Sequence, residues 1–233
     1  MHEQSPLSPQ SNDIQPGQIT NKRTIEEALA YDYDFEITDV ISKAWAKVDG
    51  IKLPCFLVLL SVVIANIVLG FILQHIPSII GFAIQILVSA VITAMSTTMM
   101  LIALRHLRGE KVDIKECASF VANHAVLLIT AALLASILTF VGFILLIIPG
   151  IYLAVSYTFV QWIIIDNPGV TAWQALEVSR KIVLKHFFKV LLLGIALGFI
   201  VAISAIPLGI GLFWTMPLMM LSIGTVYQTI FEK

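Results

Sequence analysis

A chain of 233 residues that is 58% hydrophobic, only 12% charged and has a mean hydropathy of +0.94 lies far from the roughly 25% charge of soluble domains. This composition excludes an ordinary soluble enzyme. The unbroken apolar runs also exclude a transmembrane barrel, whose strands alternate over about ten residues, and a net charge of −1 points to no nucleic-acid partner.

Residues 1–35 are rich in Pro, Ser, Gln and acids and are expected to form a disordered, acidic, cytoplasmic tail. They hold no apolar core of the signal-peptide kind, so insertion is expected to use the first span. Thr24-Ile25-Glu26-Glu27 has the spacing of a capping box and predicts a short helix to about Tyr31. The acidic stretch Glu26 to Asp39 has two readings, a solvated leader or a docking segment for a basic partner. From Thr38, apolar Val40, Ile41, Ala44, Trp45 and Val48 recur at helical spacing among charges, which predicts an amphipathic helix ended by Gly50.

Two spans follow, about 53–73 and 79–104, turned by His75-Ile76-Pro77-Ser78. Arg105-His106-Leu107-Arg108 marks the return to the charged side. Asp113 to Glu116 has the spacing of a capping box for a second amphipathic helix. The uncharged run Ala125 to Ile165 is too long for one crossing, which needs roughly 20 residues. It is expected to fold back at Ile147-Ile148-Pro149-Gly150-Ile151 into spans of about 126–148 and 151–165. The second of these has only 15 residues, or about 22 Å of helix, so the Pro149 turn is expected below the outer headgroups. Asp166-Asn167-Pro168-Gly169 stops it. Thr171 to Gln174 opens a third amphipathic helix, and spans of about 190–205 and 212–231 flank Ile206-Pro207.

The fold class expected is therefore all-α, a polytopic six-helix transmembrane bundle with cytoplasmic interfacial helices. Every Lys and Arg falls outside the spans, and the turns around Pro77, around Pro149 and Gly150, and around Pro207 carry none. By the positive-inside rule both termini are cytoplasmic, which in a bacterium means a multi-pass protein of the inner membrane. Taking Ala44, Ala118 and Ala175 as equivalent points, the turn prolines follow after 33, 31 and 32 residues. That spacing suggests three repeats of an amphipathic helix plus a helical hairpin.

No Asp, Glu, Lys or Arg lies inside a span, which disfavours a proton relay or ion pathway. The strongest polar groups there are Asn66, Gln85 and Gln161, read as interhelical bonds or as the lining of a polar cavity. Gly194, Gly198 and Ala202 place small residues on one face of the fifth span, a packing face read as internal to the chain. Arg180, Lys181, Lys185 and Lys189 flank apolar positions of the third amphipathic helix and are expected to face anionic inner-leaflet lipids. Trp45 and Trp173 suit headgroup depth, Trp162 and Tyr227 the inner aromatic belt, and Tyr152 and Trp214 the outer one. Cys55 and Cys117 are expected to stay unpaired. The five histidines and two cysteines match no ligand spacing, so no metal and no cofactor is expected. Ser179 beside Arg180 is read as an ordinary helix residue and not as a nucleophile.

The string LLIIPGIYLAVSYTFVQWIIID, followed by ALEVSRKIVLKHFFKV, resembles uncharacterised bacterial six-span inner-membrane proteins related to the glycerophosphodiester phosphodiesterase membrane domain. The matching positions are Pro149, Gly150, Asp166 and Ser179. TTMMLIALRHLRGEKVDI and MPLMMLSIGTVYQ, with Pro217 and Tyr227, are similar to the same superfamily. The resemblance implies six spans over roughly Phe35 to Phe231, without catalytic residues or the soluble phosphodiesterase domain. The function expected is non-enzymatic: a membrane-organising or assembly scaffold contacting the lipid bilayer and other membrane proteins. The alternative is a carrier or permease component for a lipid-like or weakly polar solute.

Overall fold

The structure, a computed structural model, describes residues 22–73, 78–206 and 209–232. Among these residues every regular element is helical, and the one strand-like pairing is an isolated bridge between Lys22 and Glu232. The helices are α1 (Ile25–Ala30), α2 (Ile37–Lys47), α3 (Lys52–Leu73), α4 (Ser78–Leu107), α5 (Ile114–Asn123) and α6 (Ala125–Leu145). After these come α7 (Ile147–Ser156), α8 (Val160–Asp166), α9 (Ala172–Lys185), α10 (Phe187–Ala205) and α11 (Leu212–Phe231). A 3-10 turn, Val48–Gly50, joins α2 to α3. Pro77 and Pro207, two of the three expected turn prolines, lie outside the described residues.

Three stretches of the described chain are long and apolar enough to cross a membrane: α6, the α7–α8 run Ile147–Asp166, and α10. Their 21, 20 and 19 residues give about 31, 30 and 28 Å of helix at 1.5 Å each, matching a bilayer core of about 30 Å. Much of α6 and α10 remains uncovered by protein; Val126 is 81% exposed and Phe199 66%. In water such surfaces would be a liability, whereas in a bilayer they face acyl chains.

Local chemistry sets the helix starts. Thr24 and Glu27 form the expected capping box on α1, and Thr171 and Gln174 form one on α9. Asp113 caps α5 by accepting from the N–H groups of Lys115 and Glu116. The return arm of that box is absent, because Glu116 instead pairs with Arg105 at 3.0 Å. Amphipathic α2, α5 and α9 each precede two long helical arms. Ala44 and Ala175 are buried, but Ala118 is exposed and Cys117 takes the inward position.

The break between α6 and α7 falls earlier than the sequence suggests. Leu146 alone is extended (φ −164°, ψ 153°), and Ile147 already begins α7. Pro149 therefore sits in the first turn of a helix, where a missing N–H costs nothing because that group has no intrahelical acceptor. The reversal is tight because two glycines meet. A Cβ on Gly142 would lie 3.1 Å from the Gly150 Cα, and one on Gly150 would run into the Phe143 ring. The second arm is consequently 20 residues long and not 15, which removes the reason for placing this turn deep. It is bent at Tyr157–Phe159, where α7 gives way to α8.

The packed core lies at the charged end of the molecule. It gathers the final turns of α4, most of α8, one face of α9 and half of α11. Trp162 and Tyr227, expected in an aromatic belt, are both buried here with ring centroids 6.0 Å apart. Gly224 lets α11 approach this core: an added Cβ would meet Leu107 at 2.6 Å and Trp162 at 3.0 Å. Residues 22–35, read from the sequence as the end of a disordered tail, are packed onto the same core, with Ala28, Tyr33 and Phe35 buried.

One placement bears on the span count. Lys52, at the start of α3, stands 5.3 Å from the Trp214 ring at the start of α11, and Phe56 meets Phe213 at 5.1 Å. Threading six equal spans would put those two helix starts on opposite faces of the bilayer. Hydropathy windows find apolar segments but not their relative heights, and α11, with Thr215 and Ser222 buried among its apolar residues, is a core helix.

Candidate functional site

The charged end is organised around Asp166, the last residue of α8. An acid that closes an apolar run is drawn into the core by the hydrophobic residues before it, so it needs cationic and hydrogen-bonding partners. Arg108, just past α4, donates from Nη1 to Asp166 Oδ1 at 2.8 Å; the two side chains are 11% and 5% exposed. Tyr227 donates its hydroxyl to Oδ2 at 2.9 Å. Lys22 Nζ reaches Oδ2 at 2.9 Å, the Asp166 carbonyl at 2.6 Å and Asn167 Oδ1 at 3.0 Å.

A second carboxylate extends this knot. Arg108 Nε donates to Glu232 Oε1 at 2.7 Å, and Gln228 donates to Glu232 Oε2 at 2.9 Å. Burial works against the Arg108 charge, but the Asp166 and Glu232 carboxylates outweigh it and raise its pKa above the ordinary arginine value. The knot's two acids and two bases cancel, and residues far apart in sequence are joined. The remaining guanidinium nitrogen, Arg108 Nη2, is buried with no partner among the described residues, a desolvated donor of the kind that costs about 1–3 kcal/mol. Beside the knot lies a cavity of about 410 Å³ whose walls include Lys22, Arg105, Arg108 and Phe120.

Arg23 closes the end of α11. It donates from Nη1 to the carbonyls of Thr229 (3.2 Å), Ile230 (3.0 Å) and Glu232, and its backbone N–H donates to the Phe231 carbonyl at 2.7 Å. These carbonyls have no intrahelical donor, and a cation there also complements the helix dipole. The guanidinium stacks 3.7 Å from the Tyr31 ring centroid.

The acidic leader meets its basic partner within the chain. Lys185 donates to the Tyr31 carbonyl at 2.7 Å, Lys189 pairs with Asp34, and His186 lies 3.3 Å from Asp32. Buried Tyr33 donates to the Ile182 carbonyl at 3.2 Å. Lys185 and Lys189, expected at the leaflet, are thus occupied by residues 31–34. Lys181 pairs with Glu177 at 2.8 Å, and Arg180 borders a hollow with Tyr157, Trp173 and Leu138.

Ser179 clasps the bend between α7 and α8. Its Oγ donates to the Ser156 carbonyl at 2.7 Å and accepts from the Phe159 N–H at 3.2 Å, satisfying backbone groups that the interrupted helix leaves open. Gln161 ties three helices, donating to the Leu128 carbonyl at 3.1 Å and accepting from Thr97 at 3.5 Å. Gln85 is exposed and sits twelve residues from Thr97 on α4, about 18 Å along the axis. These two amides are not brought together, and the Asn66 side chain lies outside those described. Gly194, Gly198 and Ala202 face outward; among the described residues nothing stands within 4 Å of where a Cβ on either glycine would lie. Cys55 and Cys117 are free thiols and both buried.

The knot was within reach of the sequence in one respect. Asp166 and Arg108 each sit at the end of an apolar run, and such charges are either solvated or paired with each other. Nothing local selects Lys22, Tyr227 and Glu232 as the remaining partners. Residues 118–233 match a family described as protein of unknown function (DUF975). The matched segment holds Asp166, Ser179, Tyr227 and Glu232, whereas Lys22 and Arg108 precede it. No curated protein and no solved structure matches the chain.

Proposed function

We propose that this chain is a non-enzymatic, multi-pass protein of the bacterial inner membrane that organises membrane components from a rigid cytoplasmic head. Two hairpins, α3–α4 and α6–α7 with α8, and the helix α10 enter from the face that carries the charges, with α11 packed into the head. The two ends of the described chain meet at the head, where Lys22 forms a backbone bridge with Glu232.

One observation carries this reading: the buried charges are cancelled inside the head, while the apolar helices leave broad faces uncovered. A self-cancelling ion-pair knot holds shape without marking an ion path, and uncovered apolar helix faces suit lipids or other membrane helices. The carrier alternative would gather Asn66, Gln85 and Gln161 around one cavity, and the height separating Gln85 from Gln161 weighs against it. Kinship with the glycerophosphodiester phosphodiesterase membrane domain would fit the same role and rests on the matching positions alone.

Co-purification from native membranes, with lipids and proteins both identified, tests the role. A stoichiometric protein partner is the expected result. A single small solute retained in place of any partner would contradict it.

A further inference from the structure

We infer that the cavity beside the Asp166 knot is a binding site for a phosphate-type oxyanion, gripped by Arg105 and Arg108. The two arginines lie three apart, Arg105 in the last turn of α4 and Arg108 just past it, and both line the cavity of about 410 Å³. Each has donors to spare. Among the described residues Arg105 uses only Nη2, on Glu116 at 3.0 Å, and Arg108 has a buried Nη2 without a partner. A pair of planar guanidinium forks with unused N–H groups calls for an acceptor-rich, multi-oxygen anion.

Most of the groups that would repel such an anion are already engaged. Asp166 is held by Arg108, Lys22 and Tyr227. The end of α4 would ordinarily present bare carbonyls, but those of Leu104, Arg105, His106 and Leu107 accept from Arg108, Glu110, Gly109 and Lys47 respectively. Glu110 is the one lining carboxylate with no ion pair among the described residues, and it competes for the same donors. The remaining wall is apolar, with Leu101, Leu104, Phe120 and Ile165. A polar mouth over an apolar wall fits a phospholipid headgroup with the first part of its chain, and the oxyanion grip fits free phosphate equally.

This inference rests on the lipid-contacting head proposed above and names the chemistry of one such contact. The test uses the full chain in neutral detergent, stripped of lipid and titrated separately with inorganic phosphate, phosphatidylglycerol and diacylglycerol, with binding read from the thermal midpoint. Phosphatidylglycerol or phosphate, but not diacylglycerol, is expected to raise the midpoint. Arg105→Gln, which leaves the knot intact, weakens that binding at least tenfold, and Glu110→Gln strengthens it. A response to phosphatidylglycerol alone identifies a lipid headgroup, and a response to phosphate identifies a free anion. No response in the unmodified chain, or one unchanged in both variants, overturns the site. Co-purification of a protein partner together with that outcome would leave the scaffold role standing, and anion binding without any partner would leave the site standing.

Discussion

The two halves of this molecule solve burial differently. At the head, every described element is tied to another by charge or by close contact: Lys22 and Arg108 to Asp166, Arg23 to the end of α11, and Lys185 and Lys189 to residues 31–34. Among the described residues of the hairpins, few polar contacts join neighbours, and residues such as Ile148, 80% exposed, stand uncovered by the rest of the described chain. The head is built like the core of a soluble protein, whereas the hairpins are built for a solvent of lipid. The same substitution should therefore cost much in one half and little in the other.

The largest effect expected is for Asp166→Ala, which leaves Arg108 and Lys22 without their shared carboxylate. Breaking a buried pair by removing one partner costs about 3–5 kcal/mol, to be read as a fall in thermal or denaturant midpoint. A loss below about 1 kcal/mol, as for surface pairs, would show the knot to be solvated. Next come the glycines. Gly224→Ala forces a methyl against Leu107 and Trp162 and should cost about 1–3 kcal/mol. Gly194→Ala meets open space and should be neutral or stabilise by up to about 1 kcal/mol. Equal effects at the two sites would erase the contrast between head and hairpins.

Ser179→Ala should cost about 1–3 kcal/mol by stranding the buried Phe159 N–H. Ser179→Thr, which keeps the hydroxyl, should recover part of it. The smallest effect is at Asp34. The hydrogen bond from Lys189, then that from the Phe35 N–H, holds its carboxyl below the ordinary value of 3.8. Its contribution is therefore fully present above about pH 3.8 and lost as pH falls through the lower folded value. Protease cutting within residues 31–36 should rise over that acid range, and Asp34→Asn should remove that rise while increasing cutting at neutral pH.

What the sequence made legible was local. The capping boxes at Thr24 and Thr171, the amphipathic faces of α2 and α9, and a fold-back near Pro149 all follow from spacing within a few residues. What it concealed was proximity. The small-residue face of Gly194 and Gly198 is visible in sequence, but whether a neighbour stands opposite is not. Glycines that do carry close contacts, among them Gly142 with Gly150 and Gly224 with Trp162, belong to no such pattern. The acidic leader shows its charge and leaves its partner open, and the partner proves to be the end of α9 in the same chain. Trp162 and Tyr227 look like belt residues by composition and are core because Asp166 and α11 draw them inward.

The central claim, that all the charged elements form one head on the cytoplasmic face, is tested most directly by labelling a single added cysteine. Cys55 and Cys117 are buried, so both serve as a silent background. Lys111, exposed in the connection between α4 and α5, is the position to use. With a membrane-impermeant maleimide, Lys111→Cys should stay unlabelled in intact cells and label after permeabilisation; full labelling from outside would contradict the account.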